Sequence, residues 1–169
     1  MLLNFQLKNF FSSILFCCFF LQSNGQETNY FFTQINTNQG LSHRKVNCII
    51  QDSRGFIWIG TNDGLNRYDG KNFVTFRNIP GNTASLSGNV ITALHEDKKG
   101  LLWIGTADGG LTCYNYKLSA DKQFTQYKHK DNDSSSIPVN IINAIETDEQ
   151  GFLWLATSGN SIIRFNKNT

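Results

Sequence analysis

The chain has 169 residues, of which 40% are hydrophobic and 17% charged, the balance of a globular domain with a core and not of a disordered segment. Fifteen basic and thirteen acidic residues leave a formal charge of +2, too little for the footprint of a nucleic-acid or anionic-membrane binder. Fourteen Gly, two Pro and 13% aromatic residues favour short strands and tight turns over long helices, so the expected fold is all-β.

The first element is not part of that fold. Lys8 supplies a positive start, residues 10–21 are a nearly unbroken apolar run, and Ser23-Asn24-Gly25 offers small residues for cleavage, the three parts of a secretory signal. A twelve-residue helix would be about 18 Å long, against about 30 Å of hydrocarbon in a bilayer, which disfavours a permanent anchor. Residues 1–25 are therefore expected to form a signal peptide helix, and the mature chain to start at Gln26 and be exported. Removing Lys8 leaves fourteen basic against thirteen acidic residues, a net charge of +1. Residues 26–40 hold a strand-like run at 30–35 that has no unit of its own; in a closed ring such a strand pairs onto the last sheet and covers its edge.

The remainder repeats. Gly55-Phe56-Ile57-Trp58-Ile59-Gly60-Thr61 returns as Gly100-Leu101-Leu102-Trp103-Ile104-Gly105-Thr106 and again as Gly151-Phe152-Leu153-Trp154-Leu155-Ala156-Thr157, at offsets of 45 and 51 residues. Leu41, Leu86 and Ile137 keep the same phase, as do Val46, Ile91 and Ile142, and as do Asp52, Asp97 and Asp148, each three residues before the repeat's Gly. Within the first unit, strand-like runs at 46–51, 56–61, 65–68 and 72–77 alternate with turn signals, two of them Asp-Gly pairs that supply the positive φ of tight hairpins. Four strands in about 45 residues match a propeller blade better than a helical or leucine-rich repeat. The units are blade 1 at 41–85, blade 2 at 86–136, with an insertion around 116–123, and an incomplete blade 3 at 137–169. The expected fold is a partial β-propeller of about three four-stranded antiparallel blades. The third unit stops short of a fourth strand, which predicts a truncated chain whose open blade faces self-associate.

The second strand of each unit is apolar at consecutive positions, as a strand buried on both faces should be. Trp58, Trp103 and Trp154 are thus assigned to the core between blades, each removing about 200 Å² from water, and Gly55, Gly100 and Gly151 to the preceding turns. Cys48 and Cys113 occupy different positions of different units and are expected as buried free thiols.

No catalytic residues are assigned. His43, His95 and His129 sit at unrelated repeat positions without the spacing of a zinc site, so no metal and no cofactor is expected. Asp52, Asp97 and Asp148 look like turn carboxylates that accept local backbone N–H groups, not a catalytic pair. The glycines of Asp108-Gly109-Gly110 lead into a strand, so they offer no helix N-terminus for a phosphate. Ligand contacts, if present, belong on the end where the connections between blades meet the turns joining second and third strands. The candidates there are His43, Arg44, Asn47, Asn62, Asp63, Asn89, Asp108, Asn140 and Asn160, whose amides and cation suit hydroxyl-rich or acidic sugars.

Residues 46–70, from Val46-Asn47-Cys48 through Trp58-Ile59-Gly60-Thr61-Asn62-Asp63-Gly64-Leu65 to Tyr68-Asp69-Gly70, resemble the two-component regulator propeller repeat. The resemblance covers the second unit to Tyr114 and extends to the third, where Ala156 replaces the Gly and Ser158-Gly159-Asn160 replaces the usual turn. It implies the N-terminal sensor part of a Bacteroidetes-type hybrid histidine kinase anchored in the inner membrane, with periplasmic propellers reading oligosaccharides. Its partners would be the remaining propeller blades and downstream domains of the parent, with no nucleic acid bound by this part. No kinase, receiver or DNA-binding motif lies within these residues, so any kinase activity belongs to the parent. The competing reading is a structural or protein-interaction propeller without a small ligand.

Overall fold

The computed structural model describes residues 29–159 and 162–166; the segment expected to be a signal peptide and Asn160 lie outside them. The chain divides into two compact units, Met1–Thr33 and Gln34–Thr169. In the first, residues 29–33 form neither helix nor strand, and Tyr30, Phe31 and Phe32 are exposed. The strand expected at 30–35 is thus not formed here, because an extended run becomes a strand only where a neighbouring edge takes its backbone hydrogen bonds.

The described residues of the second unit form three antiparallel sheets. Blade 1 is β1 (Val46–Gln51), β2 (Ile57–Thr61), β3 (Gly64–Tyr68) and β4 (Phe73–Phe76). Blade 2 is β5 (Ile91–Glu96), β6 (Leu102–Thr106), β7 (Leu111–Tyr114) and β8 (Phe124–Tyr127). Blade 3 is β9 (Ile142–Thr147), β10 (Leu153–Thr157) and β11 (Ile162–Phe165). Strands pair in chain order in each sheet, so every blade is an up-and-down meander. The insertion of blade 2 forms a short 3₁₀ turn, Ala120–Lys122, in the hairpin before β8, where added length perturbs no ladder.

The turn chemistry follows from the sequence. Thr61 pairs with Gly64 across the second hairpin, and Gly64 holds φ at +99°, with a Cβ there falling 2.4 Å from the Phe76 carbonyl oxygen. Only glycine fits both demands. Each first strand begins with a bulge, at Asn47, Thr92 and Asn143, which re-aims one side chain out of the ladder.

Two apolar clusters join the blades. Between blades 1 and 2, Trp58, Leu65, Leu86, Ile91, Leu102, Ile104 and Tyr114 are buried together; between blades 2 and 3, Ala93, Trp103, Leu111, Ile142, Ile145, Leu153 and Leu155 are. The junctions share one rule of close approach. A Cβ on Gly60 would lie 2.7 Å from Ile91 Cγ2, and one on Gly105 would lie 2.8 Å from Ile142 Cγ2, so each next blade's Ile sits directly on the glycine of the second strand before it. Every residue of β6 is buried, whereas β10 alternates buried and exposed at Leu153, Trp154, Leu155 and Ala156. The expectation of two buried faces is met only where a sheet has neighbours on both sides, and Trp154 is 41% exposed while Trp58 and Trp103 are 0% and 1%.

Candidate functional site

The recurring aspartates do more than shape turns. Asp52 Oδ1 accepts from the Arg54 and Phe56 amides, both at 3.0 Å, and its Oδ2 accepts from the Trp58 indole at 2.9 Å. Asp97 repeats this with Lys99 and Leu101 and with the Trp103 indole at 3.0 Å, and Asp148 with Phe152 and the Trp154 indole at 2.8 Å. A carboxylate with two oxygens can fix the turn and satisfy a buried indole N–H at once, which an amide or hydroxyl does less well. Burial alone would raise the Asp52 pKa, but the bonds from Trp58, Arg54 and Phe56 outweigh it and hold the carboxyl below its ordinary range. Asp148 is likewise held low, first by the Trp154 indole. The spacing of six residues from Asp to Trp is present in all three units and was the signal for this bond.

The described candidate residues, all of the set but Asn160, lie in the hairpin tips, the inter-blade connections and, for Asn47, the first-strand bulge at one end of the sheets. There the Gly64 amide donates to the Asn89 carbonyl at 2.7 Å and the Gly110 amide to the Asn140 carbonyl at 2.9 Å, which ties each hairpin tip to the connection that enters the next blade. Several side chains are already engaged in this tie. Asn89 Oδ1 accepts the Asn78 amide at 2.7 Å and Asn140 Oδ1 the His129 amide at 2.7 Å. Asn47 Nδ2 donates to Asn62 Oδ1 and to the Ile91 carbonyl, both at 2.9 Å. Asp63 pairs with Arg77 at 2.9 Å, and that guanidinium holds its carboxyl low, with a smaller contribution from His43. His43 Nδ1 accepts the Lys45 amide at 2.9 Å. Arg44 and Asp108 are exposed and, among the described residues, have no ion-pair partner.

Elsewhere, His95 Nε2 is 2.8 Å from Thr147 Oγ1 across the junction of blades 2 and 3, and His129 Nδ1 is 2.9 Å from the Ile137 carbonyl oxygen. No group of three or more His, Cys, Asp or Glu among the described residues is placed to hold a metal ion. Neither Cys48 nor Cys113 is in a disulfide; burial pushes the Cys48 thiol up to about 11. A groove that the sequence did not suggest runs between the outer strands of blades 2 and 3, lined by Gln126, Tyr127, Lys128, Ile163, Arg164 and Phe165. No described helix is long and apolar enough to cross a membrane.

Sheets stacked through second-strand tryptophans, tied at one end by hairpin-to-connection bonds, define a β-propeller repeat protein. Residues 40–63, 85–108 and 136–159 each match the family described as two component regulator propeller, so the chain carries three repeats of that family. Among solved structures it is similar to the extracellular domain of BT3049 of B. thetaiotaomicron, described as a hybrid two component system, at a TM-score of 0.74 and 29% identity over 83% of this chain and 19% of that one. The extracellular domain of BT4673 from the same organism matches at a TM-score of 0.64 and 31% identity, again over 83% and 19%. A histidine kinase of Formosa agariphila, histidine kinase P4, is 40% identical over 77 residues, 46% of this chain and 6% of that protein. The chain thus spans a fifth or less of the length of these relatives.

Proposed function

We propose that the chain is a non-catalytic, periplasmic sensory segment of a two-component regulator, and that it contributes to reading oligosaccharides at the end of the blades that carries Arg44 and Asp108. The observation that carries this reading is the threefold match to the regulator propeller repeat together with the likeness to extracellular domains of two-component systems. Further blades and signalling modules of a longer sensor chain are its partners in signalling, and kinase activity resides there. Arg44 and Asp108 are favoured over the asparagines because their charged groups are not already used to tie the blades together. A guanidinium and a carboxylate on an exposed rim suit vicinal hydroxyls and acidic sugars.

Calorimetric titration with neutral and acidic oligosaccharides tests the proposal. Binding by one class, weakened about tenfold by Arg44→Ala or Asp108→Ala, in line with loss of one charged hydrogen bond, is the expected result; the unfolding midpoint should not move. Sugar binding that neither substitution alters would place the site elsewhere, and no binding by any sugar would favour the docking of a protein. That second reading draws on the engagement of Asn47, Asn62, Asn89 and Asn140 in the framework.

A further inference from the structure

The hairpin that joins second to third strand differs in length between blades 1 and 2. Gly64 and Gly110 are structural equivalents: each carbonyl accepts from the hydroxyl of the Thr that ends the second strand, Thr61 or Thr106, and each amide donates to the connection entering the next blade. Asp63 and Gly109 correspond as well, since both amides donate to that Thr hydroxyl, at 3.0 and 2.9 Å. Asn62 and Ala107 are a third pair, their amides donating to the Lys45 and Val90 carbonyls that precede the first strands. Asp108 shares the phase of Asp63 in the sequence, but in the structure it is the additional residue of a longer tip.

Two glycines accommodate it. A Cβ on Gly88 would collide with Asp108 Oδ1, and one on Gly109 with the Ser87 carbonyl. The tip thus folds back on the connection that enters its own blade and seats the carboxylate where a side chain at position 88 would stand. Its surroundings are stripped by comparison with blade 1. There Asn62 bonds Asn47, and Asp63 is paired with Arg77. In blade 2, Ala107 has no amide to offer, and Lys128, in phase with Arg77, lines the outer groove and forms no ion pair among the described residues. Asp108 is left exposed, with no hydrogen bond or ion pair to any described residue. Blade 2 is packed on both sides within this chain, so the opening does not depend on what adjoins either end of the stack.

We infer that Asp108 is the specificity-determining group of the sugar site and selects neutral, hydroxyl-rich sugars over acidic ones; the inference rests on the oligosaccharide reading and sharpens it. An ionised carboxylate accepts hydrogen bonds and donates none, so whatever it holds must bring donors. Two adjacent sugar hydroxyls match its two oxygens and make charge-assisted bonds to them. A uronate group brought to the same place supplies no donor and adds a like charge. The low walls at Gly88, Ala107 and Gly109 leave the carboxylate open to a ring, whereas Asp63, spent on Arg77, is not.

Calorimetric titration of the purified chain with matched tetrasaccharides tests this, each neutral sugar set against its uronic acid in the same linkage: mannose and mannuronate, glucose and glucuronate, galactose and galacturonate. The wild type should bind at least one neutral member about tenfold more tightly than its acid, the effect of one like-charge contact. Asp108→Asn, which keeps the shape and removes the charge, should close most of that gap. Gly88→Ala, which keeps the charge but occupies its seat, should weaken the neutral sugar while the unfolding midpoint confirms an intact fold. Tighter binding of the acids, or a gap that Asp108→Asn leaves unchanged, would overturn the inference and leave oligosaccharide reading standing. Failure of every sugar to bind would overturn both.

Discussion

Replacing the repeat aspartate by Ala in blade 2 and in blade 3 removes the same side chain from the same motif in two different surroundings. In blade 2, Asp97 accepts from the Trp103 indole at 3.0 Å, and Trp103 is 1% exposed. Its removal leaves that N–H without its acceptor in a dry junction, at a cost of about 2 kcal/mol. The Lys99 and Leu101 amides, at 2.8 and 3.1 Å from Asp97 Oδ1, lie in a turn that water reaches and add about 1 kcal/mol. Asp97→Ala should therefore destabilise by about 3 kcal/mol. In blade 3 the corresponding indole belongs to Trp154, 41% exposed, and water replaces the lost carboxylate. Asp148→Ala should cost about 1 kcal/mol or less. Urea unfolding followed by tryptophan fluorescence and circular dichroism measures both. Equal losses would refute the reasoning, since they would mean that the turn, and not the burial of the indole, sets the value of the carboxylate.

Other outcomes follow from the same geometry. Gly105→Ala places a Cβ 2.8 Å from Ile142 Cγ2 and should cost about 1–3 kcal/mol by overpacking, whereas Ala156→Gly, on an exposed face, should change the unfolding free energy by about 1 kcal/mol or less. The lowered Asp52 pKa stabilises the fold above the unfolded carboxyl value, about 3.9, and that contribution is lost as pH falls through the lower folded value. Acid titration of stability should accordingly be shallower in Asp52→Asn than in the wild type. With its thiol near 11, Cys48 should alkylate at pH 8 about a hundredfold more slowly in the folded chain than in urea, through loss of thiolate; peptide mass spectrometry of iodoacetamide-treated protein reads the ratio.

Much of the fold is legible because a propeller blade is a local object. The strands at 46–51 and 65–68 and the turns between them follow from alternating runs and Asp-Gly pairs, and the structure places them within a residue of those bounds. The candidate site is less legible. Asn89 and Asn140 look like rim donors in the sequence, but each is held by a backbone amide of the strand exit before it, Asn78 and His129, a contact eleven residues away that no turn motif announces. The Asp-to-Trp bond was within reach, since its spacing repeats, but a carboxylate beside a glycine reads first as a turn.

The order of strands, the repeat and its phase were determined by the sequence alone, because each depends on residues close together in the chain. Which faces are dry was decided only by tertiary packing. Trp58, Trp103 and Trp154 are equivalent in sequence, yet the first two are buried by the next blade and the third is 41% exposed. Burial belongs to the neighbour as much as to the residue, and a repeat cannot say by itself whether a neighbour is there.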